Sequence, residues 1–448
     1  MGDQTAFADP RLGSEAVELL GELIRIDTSN PPGDEGPAQE LLASLLGDAG
    51  FECELLAAEP GRPNLVATLA GDAPGPALCL LGHVDTVPSN RGEWSFDPWA
   101  GDIVDGEIRG RGAQDMKGQV AAEAAAAAAL ARSGWRPGRG ELKLVITADE
   151  ETGGGLGARW LCEQHPDKVR ADLVVNEGGG KSFEHGGRRF YTIAVGEKGV
   201  CRFHLRAQGV AGHGSIPGLG ENALLKLAPA VATMREQPPL DPTPEGLAFL
   251  HALTDNPIDP DDPSALADAV EALRSTAPKV AAYLAEPMLR VTLVPTRARA
   301  SEKDNVIPSA AEVLVDCRVP PGMGADEVRE RVDGVLGPLA SEVAVEFAEV
   351  VVGNRSPLET PLAGAIRDWL ADTDPGAELV PIVMPGFSDS HWFRRAFGAA
   401  TVYGFSPQRE FDLIRAEPLF HAADERAAVA DIELAASFYA DLPRRLLR

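Results

Sequence analysis

The chain has 448 residues, more than one hydrophobic core usually organises, and its 44% hydrophobic and 24% charged content is that of an ordinary globular protein. It carries 41 Lys and Arg against 68 Asp and Glu, a formal charge of −27. A surface this acidic repels nucleic-acid phosphate and anionic membrane, which excludes both as main partners.

Met1 to Pro10 holds Asp3 and Asp9 but no basic cluster or long apolar run, so no secretory signal is expected there. Ser14 to Ile26 is predicted helical, with Val17, Leu20, Leu23 and Ile24 on one side, and Asn30-Pro31-Pro32-Gly33 breaks it. A second helix is predicted from Gly36 to Ala49, followed by strands at 51–56, 64–69 and 77–81. The last is continuously apolar, as in a central strand buried on both faces. Lys117 to Arg132 is rich in alanine and reads as a helix, its apolar run 124–131 far too short to cross a bilayer. The runs 142–148 and 173–176 are again buried strands. Strands separated by helices imply an α/β fold: a mostly parallel sheet flanked by helices, with ligands collecting at the carboxyl ends of its strands.

The pattern changes near Glu197. Alternating strands are predicted at 200–208, 289–298, 313–319 and 343–350, with helices at 221–234 and 325–336. A smaller α+β domain is therefore expected at 198–351, inserted into a discontinuous first domain of 1–197 and 352–448. Residues 235–287, Pro/Asp-rich with helical pieces, read as an insertion within it. The first domain resumes at Pro357 with a helix to Leu370 and strands at 378–383 and 400–403. The five cysteines (Cys53, Cys79, Cys162, Cys201 and Cys317) form no C-x-x-C pair and are odd in number. Buried free thiols in a reducing cytoplasm are the expectation.

The acids and histidines of interest fall at the ends of predicted strands. Gly82-His83-Val84-Asp85 ends the 77–81 run. An imidazole there can bind a metal while a neighbouring carboxylate orients it, although a hydrogen-bonded loop histidine would look the same. Gly110-Arg111-Gly112-Ala113-Gln114-Asp115-Met116-Lys117-Gly118 opens the alanine helix. It lacks the Gly-Lys-Ser/Thr ending of a phosphate loop, and Asp115 could be no more than a helix cap. Asp149-Glu150-Glu151 leaves a buried strand, and glycines follow. Three adjacent carboxylates repel one another and resist burial. A divalent cation removes that penalty, whereas a solvated acidic turn would avoid it. Asn176-Glu177-Gly178-Gly179-Gly180 repeats the arrangement, and His421 stands in an acidic context near the C-terminus.

Together these motifs resemble metallopeptidase family 20, the aminoacylase, carboxypeptidase S, succinyl-diaminopimelate desuccinylase and glutamate carboxypeptidase type. The resemblance also takes in Thr28–Gly33, Gly212-His213-Gly214, Asn305-Val306-Ile307-Pro308 and Asp316-Cys317-Arg318, and spans nearly the whole chain. It implies that Asp115 bridges two divalent ions, preferably zinc, with cobalt or manganese admitted. His83 and Glu177 would complete one site, and Glu151 and His421 the other. Asp85 would orient the ligands, Glu150 would act as general base and acid, and the Asp115–Met116 peptide would be cis. His213 would reach a neighbouring subunit's site and stabilise the oxyanion, which implies a homodimer. Arg318, with Asn305, would hold a substrate carboxylate. His391, after Ser388-Asp389-Ser390, either lines the substrate pocket or simply packs.

The expected activity is hydrolysis of the amide bond of a small carboxylate-bearing substrate such as an N-acyl amino acid. The 403–407 and 421–425 stretches lean toward the aminoacylase and carboxypeptidase S branch. Cleavage of short peptides is the alternative. A two-metal phosphatase would call for more cations than Arg318, and a non-catalytic metal-binding protein would have no use for Glu150.

Overall fold

The structure, a computed structural model, describes residues 9–448, so the reading of Met1–Pro10 lies outside the described residues except at Asp9 and Pro10. Contacts divide the chain into two compact units. One runs up to Val195 and takes in Ser356–Pro381 and Ser388–Arg448; the other is Gly196–Arg355 with Ile382–Phe387.

The first unit is built on a sheet in which Glu52–Ala57, Pro63–Ala70, Glu141–Thr147, Ala77–His83, Leu173–Asn176, Thr401–Gly404 and Arg188–Glu197 lie side by side in that order. Ala77–His83 is parallel to both of its neighbours, and Leu173–Asn176 is parallel to Thr401–Gly404. The pairings on either side of this group are antiparallel. The sheet is therefore mixed, parallel at its centre and antiparallel at its margins. Connection length explains the difference. Only residues 58–62 join the first two strands, a hairpin's reach, whereas the helix Lys117–Arg132 lies between the parallel pair Ala77–His83 and Glu141–Thr147.

Both faces of the sheet are covered. Leu78, Leu80, Leu142, Leu144 and Ile146 enter one buried cluster, and Cys79, Leu81, Val145 and Val174 enter another. This alternation is why the central strands read as unbroken apolar runs. The alanine helix is buried from Lys117 to Ala131. Its small side chains let Leu12–Ile24 and Val429–Leu446 pack against it.

Several elements fall outside the set expected from the sequence, and two features among them carry clear local signals. The first is the hairpin Ser182–His185 with Arg188–Glu197, turned by Gly186 (φ 57°) and Gly187 (φ 77°). Both turn residues sit in the left-handed region, as a tight hairpin requires. The second is the 18-residue helix Val429–Leu446, which buries Ile432, Ala435, Phe438, Tyr439 and Leu442 at helical spacing. All five cysteines are free. Among the described residues, no helix is long and apolar enough to cross a membrane.

In the second unit, Ala310–Val319 is flanked by Phe203–Gln208 and Thr292–Arg299, and Ala344–Phe347 lies beyond Phe203–Gln208. Helices Ala223–Thr233 and Ala325–Leu336 cover one sheet face through Leu227, Ala230, Val328 and Val332. Residues 235–287 contain the helices Pro244–Thr254 and Pro263–Thr276 with buried Phe249, Leu250, Leu266 and Val270.

Candidate metal centre

The carboxyl ends of three adjacent strands of the first unit deliver the acids and imidazoles singled out above. His83 closes Ala77–His83, Glu150 and Glu151 form a turn just after Glu141–Thr147, and Glu177 follows Leu173–Asn176. Asp115 precedes the alanine helix through a cis peptide to Met116. His421 comes from a turn more than 240 residues beyond Glu177 and takes a left-handed backbone (φ 57°).

Two groups of side chains result. His83, Asp115 and Glu177 form one, and Asp115, Glu151 and His421 the other; within each, one ligand atom per residue lies within 4.8 Å of the rest. Asp115 belongs to both and divides its oxygens between them. Its Oδ1 lies 3.3 Å from His83 Nε2, and its Oδ2 lies 3.1 Å from His421 Nε2. His83 Nε2 is also 3.9 Å from Glu177, and His421 Nε2 is 3.3 Å from Glu151. Glu150 enters neither group, yet its Oε2 is 3.9 Å from His83 Nε2.

Backbone contacts hold this arrangement. The Asp85 carboxylate accepts the N–H of Glu150 and of Glu151, each at 3.1 Å, and the side-chain amide of Asn30 at 2.9 Å. Asn30 also donates to Asp149, whose left-handed backbone (φ 67°) turns the chain between the strand and the two glutamates. Nothing about Asn30 in the sequence marks this role beyond its place in the Thr28–Gly33 stretch. Gly404 shows why glycines crowd the site, because a Cβ there would lie 1.9 Å from the Glu177 carbonyl oxygen.

The donor set fits a pair of divalent cations. His83 Nδ1 is 3.0 Å from the Asp85 carbonyl and acts as donor there, which leaves the Nε2 lone pair facing carboxylate oxygens. That buried Nε2 makes no hydrogen bond. Acceptor facing acceptor is unfavourable unless a proton or a cation lies between them.

With protons alone, the charge balance is strained. Burial pushes Glu177 up to about 8, with Asp115 adding to the rise. Burial likewise raises Glu150 well above the usual carboxylate range; His83 opposes the rise, and Glu177, Asp389 and Glu151 add to it. Hydrogen bonds to Asp115 and Glu151 raise His421 to about 10. Burial opposes the charge of His83, but Asp115 and Asp85 outweigh it and raise that imidazole too. Asp115 is lowered, burial being overcome by His421 and His83.

A cation entering the centre must displace the protons held on Glu177, His421 and His83. Metal uptake near pH 7 is therefore expected to release protons, and affinity to fall as pH drops below about 10, where His421 takes up its proton, and more steeply below about 8, where Glu177 does. Titration calorimetry in buffers of different ionisation enthalpy measures the release. Heats independent of the buffer would contradict it.

The remaining candidates belong to neither ligand group. His391, in the first unit, is 3% exposed and edge-on to Trp392. His213, Asn305 and Arg318 belong to the second unit. There His213 is exposed, with Nδ1 2.7 Å from Ser215 Oγ, and the Asn305 carbonyl accepts the Gly214 N–H at 2.8 Å. Arg318 Nε donates to Asp316 at 3.0 Å.

A sheet with a parallel centre carries two acid–imidazole groups that share one carboxylate and could hold two cations, and the chain's relatives make it a metal-dependent hydrolase. The chain belongs to peptidase family M20/M25/M40, whose family model matches residues 79–445. The succinyl-diaminopimelate desuccinylase of Paracoccus denitrificans (strain Pd 1222) is 29% identical over 447 residues, 97% of each chain. That of Methylocella silvestris is 31% identical over 443 residues, 96% of this chain and 98% of its own. Among solved structures, an M20 family metallo-carboxypeptidase from Sulfolobus solfataricus matches with a TM-score of 0.70 at 19% identity, over 97% of this chain and 99% of that one. Human carnosine dipeptidase 1 matches with a TM-score of 0.64 at 16% identity, over 96% of each. At these identities the structural likeness is one of fold.

Proposed function

We propose that the protein hydrolyses the amide bond of an N-acyl amino acid at two divalent cations held by the first unit. The observation that carries this reading is the Asp115 carboxylate, which turns one oxygen to each ligand group and leaves Glu150 beside them uncommitted. His83, Asp115 and Glu177 would hold one cation, and Asp115, Glu151 and His421 the other. Two imidazoles and three carboxylates without a thiolate suit zinc and accept cobalt or manganese. When bound, the cations supply the Lewis acidity that acidifies water and polarises the amide carbonyl.

The chain's own residues do the rest. Glu150 takes the proton from the attacking water and returns it to the departing amine. Asp85 fixes the Glu150–Glu151 backbone, so the base and a ligand keep their places together. His213 stabilises the oxyanion from a second copy of the chain. Its Nδ1 is engaged with Ser215, so Nε2 is the nitrogen left for that task. Arg318, steadied by Asp316 and assisted by Asn305, binds the substrate carboxylate, and the burial of His391 edge-on to Trp392 supports packing over a substrate contact. The first unit then has the catalytic role and the second that of lid and dimerisation domain.

A homodimer is supported by the apolar side chains exposed on the second unit, Val210, Ile216, Leu219, Leu224 and Leu225. Free thiols support a cytoplasmic location, and the charge of −27 supports a protein that binds neither nucleic acid nor membrane. Relatives named succinyl-diaminopimelate desuccinylase, matched over nearly their full length, support an N-acyl amino acid over a dipeptide. N-succinyl and N-acetyl amino acids, dipeptides and phosphate esters, assayed with zinc, test the reading. Turnover is expected with the N-acyl compounds. Preference for dipeptides would make the protein a peptidase in practice, and turnover of phosphate esters alone would overturn the proposal.

A further inference from the structure

Glu425 lies four residues after His421 and is wholly buried, a costly place for a carboxylate. Its surroundings account for it. Oε2 accepts Arg111 Nη1 at 2.6 Å and the Gly112 N–H at 3.1 Å, while Oε1 accepts the N–H of Gln114 at 2.7 Å and of Asp115 at 3.1 Å. All four donors belong to the loop that ends in Asp115. Two backbone carbonyls add further ties: that of Glu425 accepts the Gly110 N–H at 3.0 Å, and that of Arg426 accepts the Gln114 side-chain amide at 3.1 Å.

On the other side of Glu425, the turn carrying His421 has little regular structure to hold it. His421 and Asp424 both take left-handed backbones, with φ 57° and 58°. For residues other than glycine such backbones persist only where the surroundings impose them. The Asp424 side chain accepts the Ser95 N–H at 2.7 Å, and Glu425 follows immediately.

We infer that Glu425 is a positioning residue that locks the Asp115 loop to the His421 turn and thereby sets the geometry of the group these two share. This rests on the ligand assignment above. A buried Arg–Glu pair can be structural alone. Here, however, three of the four hydrogen bonds go to backbone N–H groups of Gly112, Gln114 and Asp115 itself, and the acceptor is rooted in the segment that supplies His421. The carboxylate thus orients a ligand through its main chain, as partners behind a metal's ligands do through side chains.

The test compares Glu425→Gln and Glu425→Asp with the natural protein, titrating each metal-free protein with cobalt(II). Cobalt affinity, the visible absorption spectrum at saturation, and thermal melting in chelator are recorded. Glu425→Gln is expected to bind cobalt about 10–100-fold more weakly and to show an altered spectrum even at saturation. Glu425→Asp keeps the charge facing Arg111 but is too short to reach all three N–H groups. It is expected to recover melting without recovering the spectrum, and it decides the matter if Glu425→Gln does not fold. A folded Glu425→Asp variant with the natural affinity and spectrum overturns the inference and leaves the ligand assignment intact. Failure of the natural protein itself to take up cobalt overturns both.

Discussion

Glu150→Gln is expected to retain its metals and to lower kcat by about 10²–10⁴-fold, the usual worth of a positioned general base. The substitution keeps the shape of the side chain and removes its ability to accept a proton. Glu150 belongs to neither ligand group, and its backbone is held by Asp85, which the substitution does not touch. Metal content and structure should therefore survive while the proton has nowhere to go. Metal analysis alongside steady-state kinetics reads both halves. An active Glu150→Gln variant removes the residue from its role, and a variant that loses metal makes it a ligand instead.

Asp115→Ala is expected to abolish binding at both cation positions, whereas His421→Ala should weaken only one. The contrast follows from the division of the Asp115 oxygens, one beside His83 and the other beside His421, while His421 joins the group of Asp115 and Glu151 and not that of His83 and Glu177. Loss of the shared carboxylate also leaves Glu177 and Glu151 without the group that links them. An affinity loss of more than about 100-fold is expected, beyond what disturbing a partner behind the ligands costs. Metal-to-protein ratios after gel filtration measure it. Equal losses in the two variants would mean that Asp115 does not bridge.

Much of the first unit was legible because its physics is local. An unbroken apolar run such as 77–81 identifies a strand covered on both faces, and the structure puts Leu78 and Cys79 in opposite buried clusters. The alanine content of Lys117–Arg132 identifies that helix. A hairpin and a long helix outside the expected set carry equally local signals. The paired glycines at 186–187 mark a hairpin, and the spacing of Ile432, Ala435, Phe438 and Leu442 marks a helix. The antiparallel margins of the sheet carry no such signal, because strand direction depends on which strands become neighbours.

By itself the sequence determined the residue types and the places where they leave the core. Histidines and carboxylates follow strands that cannot extend further without burying charge, and the glycines beside them permit close backbone approach. Only the tertiary structure decided that the ends of Ala77–His83, Glu141–Thr147 and Leu173–Asn176 adjoin, and that a turn near the C-terminus closes on Asp115. Periodicity along a chain reports which face of an element is apolar, but it says nothing about which distant element covers that face. Asn30 and Glu425 illustrate the limit. Each looks like an ordinary polar loop residue until the fold surrounds it with hydrogen-bond partners drawn from remote parts of the chain.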